Sequence, residues 1–139
     1  MSDDTFQTRE QVYASAVFAQ IKPLISTDET TRKAYGSLAH KLPVLIRTAG
    51  LAQALAFVQA RNKEGTPQRR LLADLEVVLQ KSGVLPTDAN LVKRSRAANF
   101  EEYMRLTESA LESLLWFKRF AQSELKVQSG AEAQEEPHA

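Results

Sequence analysis

The segment from Tyr35 to Arg61 constrains the fold more than any other part of the chain, because it combines a helical repeat with two residues that interrupt helices. Pro43 has no backbone N–H and clashes with the carbonyl four residues earlier, at a cost of about 3 kcal/mol, so it is expected to kink the helix or to begin a new one. Gly50 occupies a position typical of a helix end. The apolar residues of the first part recur every three or four positions, as on one face of an α-helix, and they are Tyr35, Leu38, Leu42, Leu45 or Ile46, and Ala49. The segment predicts a kinked helix, a tight corner and a second helix over residues 51–62.

The same helical spacing occurs in the rest of the chain, and no useful length shows the alternation of a strand. It predicts further helices over residues 8–25, 67–82, 88–96 and 99–127. Five or six helices with short connections indicate an all-α, single-domain bundle with a long C-terminal helix, spanning residues 1–128. Residues 129–139 form an acidic tail of small residues and are expected to be disordered.

Trp116 and Phe120 lie four residues apart, away from the main apolar stripe of the last predicted helix. They therefore require a second partner. We favour another helix of the same bundle as that partner, and the alternative is a subunit interface.

The composition excludes several kinds of chemistry. The chain has no cysteine, so disulfides, thiolate nucleophiles and cysteine-based zinc sites are ruled out. Its only histidines are His40 and His138, and His138 lies in the acidic tail, which argues against a two-histidine metal site. No glycine-rich phosphate-binding motif is present. These observations favour a protein without catalytic residues, metals or cofactors.

Two functional alternatives can be tested against the sequence. Ser37 and His40 share a predicted helix face, but no strained elbow or oxyanion-hole glycines accompany them, so they indicate a surface pair, with His40 better suited to contact an RNA phosphate. A DNA-reading helix-turn-helix is also disfavoured, because the second helix offers mainly Gln53 to read base edges.

Basic residues concentrate in the middle of the chain. Residues 30–96 contain twelve Lys or Arg against four Asp or Glu, a balance of +8, whereas the whole chain has a net charge of +1. Such an excess is typical either of a surface that binds a polyanion or of an ordinary solvated helical surface. The residues that we expect to contact phosphates are Lys33, Lys41, Arg47, Arg61, Lys63, Arg69, Arg70, Lys93, Arg94 and Arg96.

Two blocks of sequence together resemble a known family. The first block comprises Tyr35, Leu38, Leu42, Pro43, Ile46, Gly50, Leu51 and Phe57. The second comprises Tyr103, Thr107 and the run from Trp116 to Ala121. In combination and order they resemble the small, all-helical subunit of type III-B (Cmr) CRISPR RNA-guided effector complexes. Because these are chiefly packing motifs, they bear on the fold more directly than on a binding site.

The resemblance implies a non-catalytic subunit that stacks with copies of itself into a short filament. It also implies partners, namely the backbone and large subunits of a Cmr complex, guide RNA and target RNA. No long apolar run or leader-like N-terminus is present, so we expect a cytoplasmic protein without membrane contact. The alternatives that remain are a helical protein–protein adaptor with no direct RNA contact and an unrecognised hydrolase or nuclease.

Overall fold

Six α-helices and one 3₁₀ turn make up the secondary structure of residues 7–128, the part of the chain that the computed structural model describes. The helices are α1 (Arg9–Ile21), α2 (Glu29–Ala49), α3 (Leu51–Arg61), α4 (Pro67–Lys81), α5 (Leu91–Ala97) and α6 (Phe100–Ser123). The predicted all-α bundle of five or six helices with a long last helix is confirmed. The predicted acidic tail, residues 129–139, lies outside the described residues.

Most helix starts are fixed by a side chain that accepts an otherwise unpaired backbone N–H. Thr8 forms a capping box with Gln11 at the start of α1. Single side-chain caps begin four other helices, and they are Asp28 for α2, Thr66 for α4, Asn90 for α5 and Asn99 for α6. These caps place the helix starts within a few residues of the positions that the sequence predicts.

The core lies between α1, α2, α4 and α6. Both α4 and α6 pack on α1 and on α2 and contact each other, while α3 packs on α2 and α5 packs on α3. The hydrophobic stripes of the four central helices face inward, since burying them supplies most of the favourable free energy of folding. The largest fully buried side chains are Tyr13, Tyr35, Phe117, Ile21, Leu24, Leu42, Ile46, Leu51, Leu55, Leu71, Leu75 and Leu79.

The corner between α2 and α3 depends on Gly50 and Tyr103. The helix α2 continues through the buried Pro43 to Ala49, so Pro43 does not begin a new helix. Gly50 then adopts φ 92°, a conformation that L side chains rarely adopt. Gly50 has no side chain to cap α3, and the hydroxyl of Tyr103 accepts the N–H of Ala52 instead, at 3.0 Å. The corner predicted from Gly50 is therefore held in place by a residue of α6.

The first and last helices end earlier than predicted. Pro23 cannot donate the next helical hydrogen bond, so α1 ends at Ile21 and a 3₁₀ turn, Lys22–Ser26, follows. The predicted extension of the last helix to Val127 is also wrong, because α6 ends at Ser123 and Lys126 has φ 63°. The backbone N–H of Val127 donates to the carbonyl of Ala121 at 2.9 Å. We call residues 124–128 the C-terminal strap.

Candidate nucleic-acid interface

Lys33, Lys41 and Arg47 share one exposed face of α2, and we call these three residues the α2 basic stripe. Because α2 is continuous, they lie within an arc of about 120° and span about 21 Å along the axis. Val44 lies within this stripe and is 56% exposed. The stripe thus presents three cations to solvent along one rigid element, as the sequence predicts.

His40 lies on the same side of α2 but is buried, and the prediction that it is a surface residue able to contact RNA phosphate is wrong. The C-terminal strap covers it, and the His40 side chain is only 9% exposed. Its Nε2 donates to the backbone carbonyl of Val127 at 3.0 Å. That bond leaves Nδ1 without a hydrogen-bond partner among the described residues. His40 therefore serves to hold the strap and is not placed to act as a base for Ser37.

A second basic group lies on α3, on the loop that follows it and on α5. Its four members are exposed and are Arg61, Lys63, Lys93 and Arg96. Because α5 packs on α3, the first and last residues of this group, Arg61 and Arg96, lie on adjacent helices. The guanidinium of Arg61 lies 5.0 Å from the ring centroid of Phe57, and Phe57 is 47% exposed. We call these four residues the α3–α5 basic group.

The other three predicted phosphate contacts make hydrogen bonds within the fold. Arg69 donates to the carbonyl of Asn62 at 2.9 Å and to the carboxylate of Glu64 at 3.1 Å. Arg94 donates to the carboxylate of Glu102 at 2.6 Å, which ties α5 to α6. The side chains of Arg69 and Arg94 are about one-fifth and two-fifths exposed, so each combines a structural contact with some access to solvent.

Arg70, the third of them, belongs to a buried polar network that joins three helices. It donates to Asp74 at 3.2 Å and to the carbonyl of Gln20 at 3.0 Å, and the hydroxyl of Tyr35 donates to Asp74 at 2.6 Å. Burial raises the pKa of Asp74, although the Tyr35 hydrogen bond and the Arg70 charge oppose that rise. Burial, followed by the nearby Asp74 charge, raises the pKa of Tyr35 well above its ordinary value, so Tyr35 remains a donor.

Trp116 and Phe120 are both half-buried and pack within the bundle. The ring of Phe120 meets Phe18 of α1 edge-on, with centroids 5.3 Å apart, and Trp116 lies 5.7 Å from Phe120. The Arg119 guanidinium lies 5.6 Å from the Trp116 ring. The favoured interpretation, in which another helix of the bundle covers this pair, agrees with the Phe18 contact.

The structure also exposes apolar residues that the sequence reasoning did not single out. Phe100 is 76% exposed and Met104 is 43% exposed, one turn apart on the outer face of α6. Leu115, which is 41% exposed, lies on the same side further along the helix. Their spacing of four and eleven residues places them on one helix face and could have indicated a second apolar face. The buried stripe through Leu106 and Leu114 gives the stronger pattern in the same sequence.

Within residues 7–128, no three potential metal ligands come together. The same part of the chain contains no helix with the length and hydropathy needed to cross a membrane. The fold and its surface therefore define a small helical protein. Its distinctive surface features are the α2 basic stripe, the α3–α5 basic group and the exposed apolar residues on the outer face of α6.

Comparisons with known proteins assign this helical protein to a family. The sequence profile of the family described as CRISPR-associated protein (Cas_Cmr5) matches residues 9–124. A Thermus thermophilus protein named CRISPR system Cmr subunit Cmr5 is 39% identical over 117 residues, which cover 84% of this chain and 96% of that protein. The chain belongs to the Cmr5 family of CRISPR-associated proteins.

A solved structure supports the same assignment. The crystal structure of a CRISPR-associated Cmr5 family protein from Thermus thermophilus superposes with a TM-score of 0.72 at 38% sequence identity. The match covers 86% of this chain and 99% of the crystallised one. The family resemblance seen in the two sequence blocks is thereby confirmed.

Proposed function

We propose that this chain is a non-catalytic small subunit of a type III-B (Cmr) CRISPR ribonucleoprotein complex in the cytoplasm, where it helps to hold guide RNA and target RNA for antiviral defence. Membership of the Cmr5 family supports a place in such a complex, together with the backbone and large subunits. The main observation in support of an RNA contact is the α2 basic stripe, because its three cations face solvent on one continuous helix.

The contacts that these residues offer are to phosphates and not to bases. Lysine and arginine on a convex helix face neutralise phosphate charge and release counterions, whereas base reading requires side chains that enter a groove or stack on unpaired bases. All residues of the α2 basic stripe and of the α3–α5 basic group are exposed at the surface. Binding that is independent of sequence suits a subunit that must accept any guide.

One copy of the chain offers few phosphate contacts, so we propose that affinity arises by repetition. In a short filament, neighbouring copies present their α2 basic stripes to the same RNA. Once one copy has bound, the contacts of the other copies with that RNA form within the same assembly. The exposed face of α6 at Phe100 and Met104, together with the exposed part of Trp116 and Phe120, supplies apolar area for such stacking.

The test compares two charge-reversal triples in a reconstituted complex. Lys33→Glu, Lys41→Glu and Arg47→Glu together reverse the α2 basic stripe, and we expect weaker assembly with guide RNA or weaker binding of target RNA. Each phosphate of single-stranded RNA that is no longer neutralised makes the negative slope of log affinity against log salt shallower by about 0.7, so the triple should make it shallower by about 2. Filter binding at several salt concentrations measures this slope.

A matched control makes the same change in charge elsewhere. Lys22, Lys81 and Arg105 are exposed and lie outside the predicted contacts, so replacing all three with Glu should leave the slope near its original value. Arg69, Arg70 and Arg94 are left intact, because their reversal would break contacts within the fold. Equal behaviour of the two triples would show that the stripe is not an RNA contact.

A helical adaptor without RNA contact is the second candidate, and the exposed Phe100 and Met104 favour it. An adaptor would lose its place in the complex when Phe100→Ser and Met104→Ser are combined, yet would tolerate reversal of the α2 basic stripe. Co-purification of tagged variants, followed by identification of bound subunits and small RNAs, separates the two functions.

A further inference from the structure

A cleft of about 550 Å³ lies between α1, the turn that follows α4 and the first half of α6. Val12 and Tyr13 line it from α1, and Val84 lines it from the turn. Its volume is within the range of sites that hold small molecules, which combine apolar walls with a few polar groups. The cleft is separate from the α2 basic stripe and the α3–α5 basic group, since no member of either lines it.

One wall of the cleft contains a hydroxyl group that the fold leaves without a partner. Ser109 lines the cleft and is fully buried, and its Oγ makes no hydrogen bond within residues 7–128. A helical serine can donate to the carbonyl four residues earlier, as Ser113 does to Ser109 at 2.8 Å. Because a buried hydroxyl without a partner is costly, Ser109 favours a molecule that brings a polar group into the cleft.

Two guanidinium groups lie at the mouth of the cleft. Arg105 is exposed and forms no ion pair within the described part of the chain, whereas Arg9 pairs with Glu112 at 3.0 Å. The planar guanidinium suits carboxylate and phosphate groups. Glu108 also lines the cleft and, with Glu112, offsets much of the positive charge. A singly charged carboxylate therefore suits the site better than a phosphate, which carries about two negative charges.

We propose that this cleft binds a small carboxylic acid with an apolar body. Arg105 and Ser109 lie one helical turn apart on α6, so one carboxylate can accept from both the guanidinium and the hydroxyl. The apolar body then lies against Val12 and Val84. This site is independent of the RNA contacts proposed above, because it shares no residue with them.

The site is tested by adding benzoate to the full-length, ¹⁵N-labelled chain and recording backbone amide shifts by NMR. Saturable shift changes are expected at Val12, Val84 and Ser109. Benzamide has nearly the same shape without the charge and should bind roughly tenfold more weakly, and inorganic phosphate should also bind more weakly than benzoate. Equal binding of benzamide, or changes that do not saturate and are scattered over surface arginines, would overturn the proposal.

Three variants separate a binding role of these residues from a structural one. Ser109→Ala removes an unpaired buried hydroxyl, so it should unfold at an equal or higher urea concentration and yet bind benzoate roughly tenfold more weakly. Arg105→Gln should weaken benzoate binding by a similar factor with little effect on unfolding. Arg119→Gln is the matched control, since Arg119 is exposed on the same helix and does not line the cleft.

The stability of Ser109→Ala also distinguishes the ligand from a trapped water molecule. If Ser109→Ala is less stable than the parent chain and binds benzoate equally well, the hydroxyl serves an internal water and the proposed site is wrong. The same conclusion follows if Arg105→Gln and Arg119→Gln change benzoate binding to the same extent.

Discussion

Replacing Gly36 with alanine should destabilise this protein, although the same change stabilises an ordinary helix. In an exposed helix interior, alanine is favoured over glycine by about 1 kcal/mol. Gly36 is buried inside α2, and an added Cβ would lie 2.6 Å from the Cβ and 2.8 Å from both γ-methyls of Val127. Contacts so short require the C-terminal strap to move.

The size of the effect follows from what the strap loses. Exposing Val127 costs about 1.5–3 kcal/mol, and losing the hydrogen bond from His40 to its carbonyl costs about 1 kcal/mol more. After subtraction of the gain in helix propensity, Gly36→Ala should lower the free energy of unfolding by about 1.5–3 kcal/mol. Urea unfolding measures this change, and hydrogen exchange should show reduced protection at residues 124–128.

A double-mutant cycle supplies the control. Val127→Gly removes the side chain that the added methyl group would strike, so in that background Gly36→Ala should be neutral or stabilising by up to about 1 kcal/mol. A result in which Gly36→Ala instead stabilises the parent chain by about 1 kcal/mol would show that the strap does not occupy the space above Gly36.

Two further predictions concern long-range polar contacts. Tyr103→Phe leaves the part-buried N–H of Ala52 without its acceptor and should lower the free energy of unfolding, measured in urea, by about 1–2 kcal/mol. A change below the error of the measurement would mean that this hydroxyl does not hold the corner between α2 and α3. Burial raises the folded pKa of Asp74 above its unfolded value, which is about 4. The stability that protonation of Asp74 contributes is therefore fully present below the unfolded pKa, and it is lost as pH rises through the folded pKa. The free energy of unfolding of the parent chain relative to Asp74→Asn should therefore fall across that window in a pH series, and a difference that rises with pH would contradict the assignment.

The helices could be predicted because their information is local. Apolar spacing and capping residues such as Asp28 and Asn99 lie within a few positions of the elements they define. The corner at Gly50 was predictable for the same reason, since a positive φ at a helix end favours glycine.

The contacts between distant parts of the chain could not be predicted. Tyr103 binds Ala52 across 51 positions, and Tyr35 binds Asp74 across 39 positions. No local pattern indicates such pairs. The strap was missed because Leu125 continues the helical apolar stripe of α6, so the turn at Lys126 has no strong sequence signal.

The candidate interface was predictable in part. Charge counting located the α2 basic stripe, and its exposure agrees with the helical period. It could not separate exposed cations from Arg69, Arg70 and Arg94, because their partners are carbonyls and carboxylates brought near by tertiary packing. It also could not foresee that the strap buries His40, which lies at the right helical angle for exposure.

The central claim is that this Cmr5-family chain contacts RNA phosphates through its exposed basic residues within an assembled complex. Ultraviolet crosslinking of a purified complex that contains the tagged chain, with the crosslinked peptides identified by mass spectrometry, tests it most directly. The account predicts RNA crosslinks in peptides that span residues 33–47, with further crosslinks at 61–63 or 93–96. Crosslinks confined to other subunits, in a complex that contains both this chain and guide RNA, would contradict it.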